Sequence, residues 1–177
     1  QVSAIADPSI GMLTAAERWV HSAPSTAPRA STLTGAVFGL QRMRFPFSGG
    51  EFVVEIEGAP PTWVTPTVNA LGRLLAMPRN WDSYGARPID PASVGAAIEL
   101  AFSLMTDSTP TPAVVPTSGG GVQLEWHTRG IDLEIEIRSP SRISACFEDQ
   151  RTHTAWDAEQ LYDFGRLRDA LRELAKR

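Results

Sequence analysis

Three successive segments between residues 122 and 147 alternate apolar and polar side chains with a period of two. Val122, Leu124 and Trp126 are interleaved with Gln123, Glu125 and His127. Ile131, Leu133, Ile135 and Ile137 are interleaved with Asp132, Glu134, Glu136 and Arg138, and Ile143, Ala145 and Phe147 with Ser144, Cys146 and Glu148. Successive strand side chains point to opposite faces, so each segment predicts a strand with one apolar and one polar face. Thr128-Arg129-Gly130 and Ser139-Pro140-Ser141 supply turns, which predicts an antiparallel meander within residues 113–149. A sheet with one apolar face must be covered.

The rest of the chain supplies the cover. Thr65-Pro66 reads as an N-cap followed by proline at the first helical position, and Val68, Leu71, Leu74 and Leu75 make a stripe that Pro78 ends. Asp90-Pro91 repeats the device before Val94, Ala97, Ile98, Ala101, Leu104 and Met105. Residues 106–112 break the pattern. A last helix is expected from Trp156 to Ala175, with Leu161, Phe164, Leu167, Leu171 and Leu174 buried. Upstream, residues 36–57 read as a hairpin turning at Ser48-Gly49-Gly50, with Phe52, Val54 and Ile56 on one face. Arg42 and Arg44 are placed to pair with Glu55 and Glu57, and Pro46 marks an edge strand or an early stop. The expected fold class is α+β: an antiparallel sheet, built from the hairpin and the three-stranded meander, with helices packed on one face.

Residues 1–35 read differently. Thr14-Ala15-Ala16-Glu17 has the form of a capping box opening a short helix with Trp19 and Val20 on its apolar edge. Residues 23–35 are rich in proline, serine and threonine and read as a linker. The expected organisation is an N-terminal helical arm and linker over 1–35 and a single α+β domain over 36–177. A chain of 177 residues can bury roughly 70% of its unfolded surface in one core.

Charge and cysteine content narrow the function classes. A net charge of −4 argues against broad electrostatic binding of nucleic acid. The single cysteine, Cys146, excludes an intramolecular disulfide and any multi-cysteine metal site, and it fits a reducing, cytoplasmic setting. No apolar run approaches the roughly 20 residues that cross a bilayer, so no membrane partner is expected. The first residues lack the basic and apolar regions of a signal peptide. They also lack an initiator Met, so the natural chain can begin earlier.

Between the two middle helices stands Pro78-Arg79-Asn80-Trp81-Asp82-Ser83-Tyr84-Gly85-Ala86-Arg87-Pro88-Ile89, and further on Gly120-Gly121-Val122-Gln123-Leu124-Glu125-Trp126. With the strand Leu133-Glu134-Ile135-Glu136-Ile137, these segments resemble an uncharacterised bacterial family. Its members carry Asn-Trp-Asp-(Gly/Ser)-Tyr-Gly-Ala followed by a Gly-Gly-x-x-Leu-Glu-Trp strand. The resemblance covers residues 66–148 and implies relatives without implying an activity. Physically, Asn80 and Asp82 can bond nearby backbone amides, and Gly85 can take positive φ. Because large aromatics are usually buried, the expectation is a structural corner in which Trp81 and Tyr84 plug the core edge and Asp82 ties the loop. The functional alternative is a recognition loop, with Asn80, Trp81, Asp82 and Tyr84 as its binding residues.

No assembled catalytic constellation stands out. His21, His127 and His153 lie in three different elements. Glu125 and His127 share a strand face with Asp132, Glu134 and Glu136 of the next strand, so a divalent metal on Glu125, His127, Asp132 and Glu134 is the alternative to a solvated acidic face. Cys146 lies on that face too, and Cys146 with His127 would form a nucleophile–base pair, but no flanking basic residue or helix N-terminus activates the thiol. Gly119-Gly120-Gly121 lacks the Lys-Ser/Thr and the helix of a phosphate loop. Arg166, Arg168, Arg172, Lys176 and Arg177 give the last helix a basic edge diluted by Asp163, Asp169 and Glu173. The function expected from these residues is a small non-catalytic module binding a protein partner, with an inhibitor- or antitoxin-like role within that class. No cofactor is expected. A metal-assisted hydrolase on the acidic face, and a nucleic-acid-binding accessory protein using Arg42, Arg44 and the last helix, are the alternatives.

Overall fold

A computed structural model describes residues 2–6, 40–47 and 50–177. The capping box at Thr14, the Trp19 helix, His21, the linker over 23–35 and the Ser48-Gly49 part of the hairpin turn lie outside the described residues. The element order is β1 (Val2–Ala6), β2 (Leu40–Phe47), β3 (Gly50–Glu57), α1 (Val64–Leu74), α2 (Pro91–Leu104), β4 (Ala113–Pro116), β5 (Val122–Thr128), β6 (Ile131–Ser139), β7 (Arg142–Asp149), β8 (Thr154–Ala158) and α3 (Gly165–Lys176). The fold is α+β, as the sequence pattern requires.

The strands form two antiparallel sheets. The larger has the order β4-β5-β6-β7-β8, and the smaller β1-β3-β2. The hairpin of β2 and β3 therefore stands apart from the meander, and β1, inside the presumed arm, pairs with β3 from Val2↔Ile56 to Ala6↔Phe52. The meander β5–β7 is as expected, with Leu124↔Ile135 and Ile135↔Ala145 stacked along its apolar face. Strands β4 and β8 extend it on either side. Residues expected at the start of the last helix are instead in β8, where Trp156 opposes Phe147 and their rings stack at 5.6 Å. The helix begins only at Gly165, whose N–H donates to Asp163 Oδ1.

Helices α1, α2 and α3 cover the apolar face of the large sheet. Val68, Leu71, Val94, Ala97, Ile98, Leu167, Leu171 and Leu174 join Leu124, Leu133 and Ile135 in one core. Helix α2 is apolar around most of its circumference, which marks a helix enclosed on two sides. The small sheet supplies the second side. A Cβ on Gly72 of α1 would collide with the Phe45 ring at 2.1 Å, and one on Gly95 of α2 would touch the Phe52 ring at 3.8 Å. Helices α1 and α2 thus lie between the two sheets, with Phe52, Val54 and Ile56 closing the core from the far side.

Helix α2 starts as expected, with the Asp90 carboxylate accepting from the Ala92 N–H at 2.9 Å. Helix α1 starts earlier than expected, after Trp63 rather than at Thr65, because proline is tolerated throughout a first turn that has no intrahelical N–H partner to lose. Trp63 is buried, and its indole N–H donates to the Thr106 carbonyl at 3.0 Å. The Trp126 N–H likewise donates to the Pro110 carbonyl at 2.7 Å. Two buried indoles thereby pin the segment over 106–112. No helix among the described residues is long and apolar enough to cross a membrane.

Candidate functional site

The loop between α1 and α2 turns sharply because its own polar side chains replace regular backbone pairing. Asn80 and Ser83 adopt φ of 62° and 65°, and Gly85 a φ of 96°. Asparagine tolerates this left-handed region better than most residues, and glycine enters it freely. The Asn80 N–H donates to the Ala86 carbonyl at 2.7 Å, which closes the loop at its base. Inside it, the Asn80 side-chain oxygen accepts from the Gly85 N–H at 2.7 Å. The Asp82 carboxylate accepts from the N–H groups of Tyr84 at 2.8 Å and Ala86 at 3.0 Å. Those bonds, Ala86 first, hold the Asp82 carboxyl below its ordinary range.

The tied Asp82 matches the corner reading, but the aromatic residues do not both plug the core. Trp81 is half-buried and donates its indole N–H to the Arg87 carbonyl at 3.2 Å. Tyr84 is 94% exposed. The expectation that Tyr84 fills the core edge is therefore corrected: the turn that Asn80 and Asp82 impose carries it outward. Ala86 and Ile89 are the loop residues buried in its place.

A second loop braces the first. The Arg87 N–H donates to the Ser118 carbonyl at 2.9 Å, and the Asp90 N–H to the Gly120 carbonyl at 2.8 Å. Gly120 has a φ of 91°, and a Cβ there would stand 2.8 Å from the Pro88 carbonyl. The glycine run that opens β5 is thus where the two backbones meet, as opposed to a phosphate cradle. The segments over residues 78–89 and 120–126 are thus in direct contact.

The polar face of the large sheet is a different kind of surface. Register places His127 opposite Asp132, and Glu125 opposite Glu134. His127 Nδ1 lies 2.9 Å from Asp132 Oδ1, while Nε2 lies 3.5 Å from Glu125 and 3.9 Å from Glu134. The hydrogen bond with Asp132, reinforced by Glu125, raises the His127 pKa above its usual 6.5. Gln150 donates to the other Asp132 oxygen at 2.9 Å, and Gln123 to Glu134 at 2.8 Å. The four residues named as metal ligands are brought together, yet they satisfy one another and their neighbours. Among the described residues no group of three or more His, Cys, Asp or Glu side chains could hold a metal ion.

Cys146 opposes Glu134 in the register, and His127 opposes Asp132. Burial first, and the Glu134 charge second, push the Cys146 thiol up, the reverse of nucleophile activation.

Several basic groups of the outer elements face carboxylates. Arg42 bonds Glu55 through Nε at 2.7 Å. Arg44 reaches Glu51 at 2.6 Å, where the sequence reading offered only Glu55 and Glu57. Arg172 pairs with Asp169, and Lys176 with Glu173. Arg177 forks onto Asp149, which is only 3% exposed, and its Nη1–Oδ1 bond measures 3.0 Å. That bidentate pair clamps α3 to the end of β7 and keeps the Asp149 carboxyl well below the usual carboxylate range. Sequence reasoning listed Arg177 as part of a basic edge and overlooked Asp149, since a separation of 28 positions gives no local signal.

Compared with known proteins, the chain matches no family model, no curated protein and no solved structure.

Proposed function

We propose that the chain is a small non-catalytic interaction module that binds a protein partner through the loop over residues 80–87. One observation carries the reading: Tyr84 is 94% exposed at the tip of a loop whose polar side chains bond to its own backbone. A pre-ordered aromatic side chain loses little conformational entropy on docking, and tyrosine is enriched among residues that dominate interface energies. Trp81, Asn80 and Asp82 act as the frame, and Tyr84 as the anchor. The lone cysteine supports a cytoplasmic setting.

The test is affinity capture from cells of the source organism, with the full chain as bait and Tyr84→Ala beside it. Tyr84 packs against nothing that the fold needs, so the variant keeps the wild-type melting temperature. A partner retained by wild type and lost by Tyr84→Ala supports the reading. Equal retention by both baits sinks it.

A further inference from the structure

Among the described residues the large sheet has an edge strand on either side, and the two edges are built differently. Strand β4 is four residues long, with Pro112 just before it and Pro116 as its last residue. Proline cannot donate a ladder hydrogen bond, so this edge is blunted against a further strand. Strand β8 is Thr154-Ala155-Trp156-Asp157-Ala158, paired with β7 on one side only. It holds no proline, lysine or arginine. Thr154, Ala155 and Asp157 are exposed, and Trp156 is half-buried against Phe147. The outward backbone groups of such an edge are a template for another strand.

The order of residues along β8 says which strand fits. A two-fold axis perpendicular to the sheet keeps the faces of two copies continuous, and it passes through a residue that then opposes itself. With Asp157 on the axis, two carboxylates stand directly opposite, which is destabilising. With Ala155 on the axis, only Thr154 to Trp156 overlap within both strands. With Trp156 on the axis, the whole of β8 overlaps. Trp156 then opposes Trp156, an aromatic cross-strand pair, each Ala155 opposes an Asp157, and each Thr154 opposes an Ala158. One step beyond the strand ends, His153 opposes Glu159 of the second copy, so an imidazole faces a carboxylate twice by symmetry. No like charges are directly opposed in this register.

We propose that β8 is a homodimer interface, pairing antiparallel with β8 of a second copy about a two-fold axis at Trp156 and joining the two five-stranded sheets into one. The surface is separate from the Tyr84 loop, which is bonded to the segment before β5. The contact is narrow, so association is weak and depends on concentration.

Sedimentation equilibrium of the full chain, over a concentration series up to about 1 mM, tests the proposal. The mass should rise from one chain to two and stop there, because a two-fold contact closes on itself. Ala155→Asp sets a carboxylate opposite Asp157 of the second copy, twice, and should weaken the dimer about tenfold. Adding Asp157→Lys to that variant turns both clashes into ion pairs and should restore it. Ala155→Lys should tighten the dimer, and its ammonium also faces Glu148 of its own β7. Melting of dilute samples checks the fold of each variant; if Ala155→Asp does not fold, tightening by Ala155→Lys decides the matter alone. Tyr84→Ala should leave the dimer as it is. A monomer at every concentration, growth past two chains, a dimer indifferent to residue 155, failure of Asp157→Lys to restore it, or loss of it with Tyr84→Ala overturns the proposal.

Discussion

The Tyr84 loop and the His127 face both gather polar side chains beside the core, but they use them in opposite ways. In the loop, Asn80 and Asp82 bond inward to Gly85, Tyr84 and Ala86 backbone groups, and an apolar ring is left facing outward. On the sheet, Glu125, His127, Asp132 and Glu134 lie side by side and pair with one another and with Gln123 and Gln150. The first arrangement fixes a backbone and presents an anchor. The second satisfies a solvated surface. Polar residues close together therefore do not by themselves mark a site; what matters is which group their bonds leave unpartnered.

The largest expected loss of stability comes from attacking the brace of the loop. Gly120→Ala places a Cβ against the Pro88 carbonyl in a positive-φ position, and strain of this kind costs about 1–3 kcal/mol. Thermal or urea unfolding measures it. The same substitution at Gly119, where a Cβ meets nothing within 4 Å, should be nearly silent.

Asp82→Ala comes next. It removes the acceptor for two backbone donors, so amide exchange at Tyr84 and Ala86 should speed up while exchange in β5 and β6 stays the same. Uniform change across the chain would contradict the loop's independence.

The two regions should also answer pH with opposite signs. The Asp82 carboxyl is lowered from 3.8 in the folded state, so its contribution is complete above pH 3.8 and is lost as pH falls through the lowered value. His127 is raised from 6.5, so its contribution is complete below pH 6.5 and is lost as pH rises through the raised value. His127→Gln should abolish the second dependence and spare the first. Titration of the imidazole by NMR in wild type and Asp132→Asn checks the cause, with the variant moving back toward 6.5.

The smallest expected effect on stability is that of Tyr84→Ala, within about 0.5 kcal/mol of wild type, because the ring contributes to no core contact.

Much of this fold was legible in the chain. Alternation through residues 122–147 gave the faces of the meander correctly, because each strand is buried on one side only. Asp90-Pro91 gave the start of α2 because a carboxylate cap and proline agree. The flanking strands were harder to read. β4 is four residues ending in proline, and β8 is Thr-Ala-Trp-Asp-Ala, an edge strand with too little apolar alternation to register. Leu161 and Phe164 then extended the helical spacing of Leu167 backwards, although both lie before the helix starts. For the candidate site, the carboxylates and Asn80 were visible as turn formers, but the outward direction of Tyr84 was not. It depends on which backbone amides Asn80 and Asp82 bond and on the brace from Gly120, a contact between segments more than 30 residues apart. The sequence of α2, apolar around most of the helix, did hold the news of a second covering layer, though nothing local says which segment supplies it.

The most direct test of the account sets its two regions against each other on one partner. The dissociation constant of a protein captured by the wild-type chain is measured for wild type, Tyr84→Ala and His127→Ala. The account predicts about tenfold or greater weakening with Tyr84→Ala and near wild-type binding with His127→Ala. Unchanged binding with Tyr84→Ala and loss with His127→Ala would contradict it and move the site to the acidic sheet face.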